Sequence, residues 1–239
     1  MAPEPWPETP DELKLVQRML AAETPPLWRP QEGVRLAAGC FICFQRGTTG
    51  PGAPGDPGWA AAALIHEGTL AAVAVAYGLA SAGYTSGLLA LREGPLLEEA
   101  VRGLPALPEV LLVNATGRDH PRRAGLTLHL GARLEIPSVG VTDRPLHAVG
   151  HWPADEPGAT GPLRIAGEVV GYWVRTKRGA RPLAIHAGWR TDPDTGVSIV
   201  LSVTGKSRTP TPLQEARRAA REARAGKHPF TAAAVRLLS

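Results

Sequence analysis

Hydrophobic and polar positions divide this chain into helical stretches at its two ends and a strand-rich middle. Thr9-Pro10-Asp11-Glu12 combines an N-cap residue, a proline at the first helical position and a capping-box glutamate, which predicts a helix ending near Ala22. Its expected buried stripe consists of Leu13, Val16, Met19 and Leu20. The continuous apolar run Leu36–Phe44 is typical of a central strand.

The rest of the pattern alternates strands with helices. Strands are predicted, after a Gly/Pro loop at 47–58, at 60–64, 70–77, 110–113, 138–141, 168–175 and 182–187. Helices are predicted at 96–104, where a Gly-Pro pair begins the segment, at 123–134, and from Thr211, which repeats the capping signature, to Gly226. Early antiparallel strands followed by alternating helices and strands predict an α/β fold with a mixed sheet.

Composition excludes several classes of protein. The 239 residues, 44% hydrophobic and 20% charged, suit one soluble globular domain spanning 1–239, with an N-terminal helix and extension at 1–30 and a basic C-terminal helix at 205–239. The N-terminus has no signal-peptide pattern, and no apolar run reaches the roughly 18 residues of a membrane span. Two cysteines cannot build a disulfide framework, so we expect a cytoplasmic protein without a membrane partner.

Charge is distributed unevenly along the chain. Residues 161–239 hold 14 Lys and Arg against 5 Asp and Glu, a charge of +9, whereas residues 1–160 carry −5. A basic C-terminal third predicts a polyanionic partner such as DNA or RNA. The alternative is that arginine is common throughout for reasons of coding bias and that the helix arginines are solvated.

Four segments between Leu88 and Val141 carry the most specific pattern. They are Arg92-Glu93-Gly94-Pro95, the strand and turn at 110–117, His120-Pro121-Arg122-Arg123, and Ile136-Pro137-Ser138-Val139-Gly140-Val141. In order and spacing they closely resemble the endonuclease V family, metal-dependent nucleases that cut near deoxyinosine in DNA or inosine in RNA. The resemblance extends from about Leu36 to Leu213 and implies a ribonuclease-H-like mixed β-sheet flanked by helices.

The resemblance also implies a divalent ion held by three carboxylates, and this chain departs from that set. The family's first-strand aspartate falls on Phe41, its glutamate is kept as Glu93, and its fourth-strand aspartate falls on Asn114. One carboxylate and one amide do not offset the cost of removing water from Mg²⁺. We therefore expect no metal site and no cofactor, with Mg²⁺ bound only if residual nuclease activity exists.

Three further family positions are substituted. A histidine falls on Thr116, a late histidine falls on Trp189, and a lysine falls on or beside Asp143. Asp119 and Asp143 are new acids near these positions, so the candidate catalytic set is Glu93, Asn114, Asp119 and Asp143. The alternatives are that the two aspartates are solvated loop residues and that Glu93 caps a helix after Gly94-Pro95.

Candidate nucleic-acid ligands lie close by in the sequence. Tyr84, in the segment Gly83-Tyr84-Thr85-Ser86-Gly87 that replaces the family's proline-stiffened wedge, could stack on a base. Arg122 and Arg123 could contact phosphate or anchor the start of their helix. His120, just before a proline, could contact nucleic acid or serve as a local hydrogen-bonding partner. Cys40 and Cys43 lie three apart on a strand and therefore point to opposite faces, which excludes a shared metal ion.

Three functions remain open from the sequence. The leading expectation is nucleic-acid binding by a family member with a degenerate metal centre and little or no nuclease activity. A second is a repurposed enzyme that acts on a nucleotide-like or other small-molecule substrate in the old pocket. A third is a weak metal-dependent endonuclease.

Overall fold

A mixed eight-stranded sheet organises the chain in the computed structural model, which describes residues 5–47 and 50–227. The strands are β1 (Leu36–Phe44), β2 (Pro57–His66), β3 (Thr69–Leu79), β4 (Val110–Val113), β5 (Ser138–Thr142), β6 (Thr160–Ile165), β7 (Glu168–Val174) and β8 (Leu183–Ala187). Their order is β3-β2-β1-β4-β5-β8-β7-β6, with β4 parallel to β1 and to β5 and the other neighbours antiparallel.

Helices cover both faces of the sheet. On one face, here called the α2 face, lie α1 (Pro10–Ala22), α2 (Leu89–Arg102) and α3 (Leu126–Leu134). On the other, the α5 face, lie α4 (Pro193–Ser202) and α5 (Thr211–Arg224). Successive strand residues alternate between the two cores, as a pleated strand requires. The predicted α/β class, a mixed sheet flanked by helices, is confirmed.

Gly39 sets how closely α5 packs on β1. A Cβ atom there would lie 2.4–2.6 Å from backbone atoms of Pro212 and Leu213, so only glycine fits. This close approach holds the basic helix against β1 and β2, and its C-terminal arginines consequently border the end of that hairpin where residues 45–56 connect the two strands.

The N-terminal helix begins as predicted but buries a different stripe. The Thr9 side chain accepts a hydrogen bond from the Glu12 N–H, and the Glu12 side chain accepts from the Thr9 N–H, which confirms the capping box. Leu13 is fully buried, whereas Met19 is 59% exposed, so the predicted stripe is wrong in part. Gln17, one turn after Leu13, is buried instead, because its amide has partners across the helix interface.

The second helix begins seven residues earlier than predicted. It starts at Leu89 and continues through Pro95. A proline inside a helix leaves the carbonyl four residues before it without an N–H partner. Here that carbonyl, of Leu91, accepts a hydrogen bond from Ser81 Oγ at 2.5 Å. Glu93 therefore lies within α2, and the interpretation that it caps a later helix is wrong.

Other boundaries also differ. Helix α3 begins at Leu126 and not at 123, because Arg123 has a left-handed backbone (φ +59°). Thr211 does not cap α5, whose first flanking residue is Pro210. Strand β6 and helix α4 were not predicted, although Asp192-Pro193 before α4 is a capping signature like the one at Thr9.

Three predicted segments extend beyond the described residues. Positions 1–4 of the N-terminal extension, 48–49 of the Gly/Pro loop and 228–239 of the basic C-terminal segment lie outside them. Across 5–47 and 50–227, no helix has the length and apolar character needed to cross a bilayer.

Candidate functional site

Glu93 faces the sheet from the middle of α2. Burial raises the pKa of its carboxyl to about 8, with the charge of Arg92 opposing the rise. Burial also raises the pKa of the Cys40 thiol, and the proximity of Glu93 adds to that effect. Glu93 therefore lies beside Cys40 on the α2 face and keeps its proton at neutral pH. In this state its carboxyl is a poor ligand for a hard cation.

Phe41 lies on the opposite face of β1. Its neighbour Cys40 belongs to the core on the α2 face, whereas Phe41 packs with Cys43 under α5. The two cysteines thus point to opposite faces, as predicted. The guanidinium groups of Arg217 and Arg221 lie 5.1 and 6.0 Å from the centre of the Phe41 ring. Cys40, beside Glu93, and Phe41 thus point to opposite faces of β1. That the position of Phe41 shares one centre with Glu93 stays a prediction.

Asn114 follows β4 directly and is next to Phe41 in register. The last aligned pair of the two parallel strands is Cys40 with Val113, so the following residues are neighbours. Asn114 Nδ2 donates a hydrogen bond to the carbonyl of Val141 at 2.9 Å. Its amide is therefore engaged in joining β4 to β5.

A divalent cation finds no ligand set in these residues. Within the described ranges, no three side chains among His, Cys, Asp and Glu are grouped so that they could hold an ion. Hard cations such as Mg²⁺ need several oxygen ligands in a defined array. The described residues do not fit the metal centre that the resemblance implies, and no chemical step is assigned to one.

A cavity of about 150 Å³ lies between the start of α2, the turn after β4 and the end of β5. Its lining is mostly apolar with a few polar groups, and comprises Gln17, Tyr84, Gly87, Leu89, Ala90, Asn114, Ala115, Thr116, His120, Leu126, Thr142 and Leu146. Tyr84 is 50% exposed, so one wall remains open to solvent. A cavity of this volume holds a benzene-sized molecule, and its mixed lining is typical of ligand pockets.

The carbonyl of Gly87 ties the Tyr84 loop to the rest of the cavity wall. It accepts hydrogen bonds from Arg122 Nη2 at 2.7 Å and Gln17 Nε2 at 3.2 Å, and lies 3.1 Å from His120 Nε2. Burial lowers the pKa of His120 to about 4, so its ring is neutral. Because His120 Nδ1 accepts from the Arg122 backbone N–H, Nε2 carries the proton and donates.

These contacts assign positioning roles to two of the predicted nucleic-acid ligands. The ring of His120 and the guanidinium of Arg122 hold residues 83–87, and Arg122 Nε also donates to Gln17 Oε1 at 2.5 Å. Their direct contact with nucleic acid stays a prediction. Sequence reasoning missed Gln17, although a polar residue one turn from a buried leucine was a signal for it.

Asp119 is a buried structural acceptor. It is fully inaccessible, and its carboxylate accepts the backbone N–H groups of residues 146, 147 and 148 at 2.6–2.8 Å. The interpretation of Asp119 as a solvated loop residue is therefore wrong. Asp143 is exposed and pairs with Arg208 at 2.6 Å, as a solvated loop residue would.

A buried histidine links Asp119 to the cavity. His186 Nδ1 lies 3.5 Å from Asp119 Oδ2, and His186 Nε2 lies 2.8 Å from the Thr142 hydroxyl, which lines the cavity. Burial lowers the pKa of His186 to about 4, against the opposing charge of Asp119. Sequence reasoning missed both His186 and Thr142, since strand residues far apart in the chain meet only through the pairing of β5 with β8.

The remaining predicted residues border this region. The carbonyl of Thr116, which lines the cavity, accepts the Thr127 N–H at 3.1 Å. The Trp189 carbonyl accepts the Ser138 backbone N–H, and the Trp189 backbone N–H donates to the Ser138 hydroxyl, each at 2.9 Å. Arg123 forms an ion pair with Glu168 outside the cavity.

Comparison with known proteins places this geometry in context. The family model of Endonuclease V matches residues 29–218. Endonuclease V of Myxococcus xanthus is 34% identical over 218 residues, covering 89% of this chain and 88% of that protein. The crystal structure of the Endonuclease V from Streptomyces avermitilis has a TM-score of 0.80 and 30% identity, covering 91% of this chain and 94% of that one.

A further solved relative contains nucleic acid. Ciona intestinalis Endonuclease V, in complex with a 24mer DNA containing an inosine followed by a ribo-adenosine, has a TM-score of 0.75 and 19% identity, covering 91% of this chain and 98% of that one. At that identity the likeness concerns the fold alone. Together with the Streptomyces structure it confirms the ribonuclease-H-like mixed sheet.

Proposed function

Because this chain belongs to the Endonuclease V family, we propose that it binds DNA or RNA through an inosine-like base and has little or no nuclease activity. The observation that carries the proposal is the contrast between a formed cavity and a missing ligand set. The cavity of about 150 Å³ is bounded by side chains that are already fixed by hydrogen bonds. No group of metal-ligating side chains accompanies it in the described residues.

The chemistry of the lining supports a flat heterocyclic ligand. Leu89, Ala90 and Leu126 offer apolar contacts to the faces of a ring, and Tyr84 can stack on it. The Thr142 hydroxyl and the backbone groups of the turn after β4 supply the polar contacts that would orient it. A relative of the same fold has been solved with inosine-containing DNA, which supports inosine as the first base to test.

Fluorescence anisotropy with matched oligonucleotides tests the proposal. We expect tighter binding of an oligonucleotide with one deoxyinosine than of its deoxyadenosine counterpart. Ala90→Leu, which adds bulk to a buried cavity wall, and Tyr84→Ala, which removes the stacking ring, should abolish that preference. Tyr77→Ala removes a similarly exposed ring outside the cavity and should preserve it. Equal affinity for the two oligonucleotides would contradict the proposal.

The chain of Asp119, His186 and Thr142 favours a second candidate, an enzyme acting on a nucleotide-like or other small substrate. The Thr142 hydroxyl donates to the Arg144 carbonyl at 2.7 Å and lies 2.8 Å from His186 Nε2. If the hydroxyl turns its proton toward His186, the neutral imidazole can accept it, with Asp119 stabilising the resulting cation. Turnover of a panel of nucleosides and phosphoesters that disappears in His186→Gln, while oligonucleotide binding persists, would support this candidate. Absence of turnover above the buffer rate would exclude it.

A further inference from the structure

A second surface, on the α5 face, combines aromatic rings with arginines. The groove, here called the aromatic groove, has a volume of about 640 Å³. It lies between the C-terminal part of α5 and the hairpin end of β1, β2 and β3. Its lining comprises Gln45, Arg46, Pro57, Trp59, Tyr77, Arg221, Arg224 and Ala225.

Trp59 and Tyr77 form one platform within the groove. They are directly opposite each other on antiparallel β2 and β3, and their ring centres are 5.4 Å apart with the planes tilted by 48°. Tyr77 is 49% exposed, although large aromatic side chains are usually well covered. An exposed ring beside a second ring offers π-faces on which a base can stack.

Three guanidinium groups surround this platform. Arg221 and Arg224 lie three apart on α5 and therefore share one side of the helix, and Arg46 follows β1. Arg224 is held in place by a hydrogen bond from Nη1 to the Phe44 carbonyl at 3.0 Å.

The three positive charges converge on one region. Burial raises the pKa of the Cys43 thiol, and the charges of Arg224, Arg221 and Arg46 oppose that rise. No aspartate or glutamate belongs to the described lining of the groove, so these charges are available to an anionic ligand.

We propose that the aromatic groove binds a single-stranded segment of DNA or RNA, with bases stacked on Tyr77 and Trp59 and phosphates paired with Arg46 and Arg221. A duplex is a poorer match, because its bases are already stacked and turn only their edges outward. An acidic peptide would use the arginines but not the rings. The aromatic groove and the cavity share no lining residue, so this inference does not rest on the proposed function.

Binding of a short fluorescein-labelled oligothymidylate to the full chain at about 50 mM salt tests the inference. The probe contains no inosine, so failure here is separate from failure of the cavity proposal. Tyr77→Ala should weaken binding by about tenfold, whereas Tyr77→Phe, which keeps the ring, should bind as the unmodified protein does. Arg46→Glu and Arg221→Glu should each weaken binding and lower its salt dependence by about one released ion.

Two matched variants control for non-specific effects. Arg178→Glu reverses an exposed charge in the turn after β7, and Trp152→Ala removes an exposed ring between β5 and β6 that lines neither the cavity nor the groove. Both should leave oligothymidylate binding within about twofold of the unmodified protein. Unchanged affinity in Tyr77→Ala would overturn the inference. The inference would also be overturned if Arg46→Glu weakened binding, Tyr77→Ala did not, and polyglutamate competed as effectively as the oligothymidylate. That result would indicate a surface for acidic peptides.

Discussion

The cavity wall and the positions of the family's metal centre come from neighbouring stretches of chain, yet their polar groups differ in organisation. In and behind the cavity wall, polar groups have partners: the Gly87 carbonyl accepts from Gln17, His120 and Arg122, and Asp119, which does not line the cavity, accepts three N–H groups. At the metal positions, the pKa of the partly buried Glu93 carboxyl is raised to about 8, and Phe41 faces the other side of the sheet.

The two regions overlap at Asn114, whereas Glu93 and Phe41 do not line the cavity. A pocket is formed by backbone segments and the side chains that hold them, so it tolerates the loss of a carboxylate elsewhere. A metal centre requires several ligands at once, and two substitutions are enough to remove it. Under the proposed function, binding persists although the described residues offer no ligand set for the ion.

The largest effect is expected at Asp119. Asp119→Ala leaves three buried backbone N–H groups without an acceptor and should lower the free energy of unfolding by roughly 3–5 kcal/mol. Urea denaturation measures the change. Asp143→Ala, which removes an exposed acid paired with Arg208, should cost no more than about 1 kcal/mol. Equal losses in the two variants would contradict the assignment of Asp119 as a buried structural acceptor.

Glu93 should make stability fall as the pH rises. An unfolded glutamate ionises near pH 4.5, whereas folded Glu93 keeps its proton until about pH 8, so the folded state holds one more proton across that window. Glu93→Gln should remove this dependence. Between pH 5 and pH 8, the variant should lose about 3 kcal/mol less of its free energy of unfolding than the unmodified protein does. Thermal or urea unfolding at both values measures it. Glu99→Gln, at an exposed position of the same helix, should show the same pH dependence of stability as the unmodified protein. If Glu93→Gln also showed that dependence, the neutral carboxyl would be disproved.

A smaller effect is expected at Arg122. Arg122→Ala removes the donors to Gly87 and Gln17 and should cost about 1–3 kcal/mol. It should also speed amide hydrogen exchange in residues 83–87. Arg123→Ala loses an ion pair to the exposed Glu168 and should leave that exchange unchanged. If both variants alter residues 83–87 alike, Arg122 does not anchor the loop.

Local patterns predicted the frame of this fold and missed its long-range contacts. The apolar run of β1 and the capping box at Thr9 act through neighbouring residues, so their bounds follow from the sequence. The predicted start of α2 is too late because Pro95 is typical of the beginning of a helix. Ser81, whose hydroxyl satisfies the Leu91 carbonyl that Pro95 leaves free, lies 10 residues before Leu91 and in another segment. Which face Phe41 occupies depends on the register of a whole sheet.

The same contrast between local patterns and long-range contacts applies to the residues of the candidate site. Tyr84, His120 and Arg122 were predicted from motifs and do border the cavity or hold its wall. Gln17, Thr142 and His186 carry no motif, and only the packing of α1 and the pairing of β5 with β8 bring them there.

Binding and nicking of one deoxyinosine oligonucleotide, compared in Mg²⁺ and in EDTA, test the central claim most directly. Because the described residues offer no ligand set for a divalent ion, the affinity should be the same in both conditions and no nicked strand should form. Manganese in place of magnesium should change neither result. Nicking that requires Mg²⁺ or Mn²⁺, by the unmodified protein and at the inosine, would contradict the claim that recognition has outlasted the metal centre.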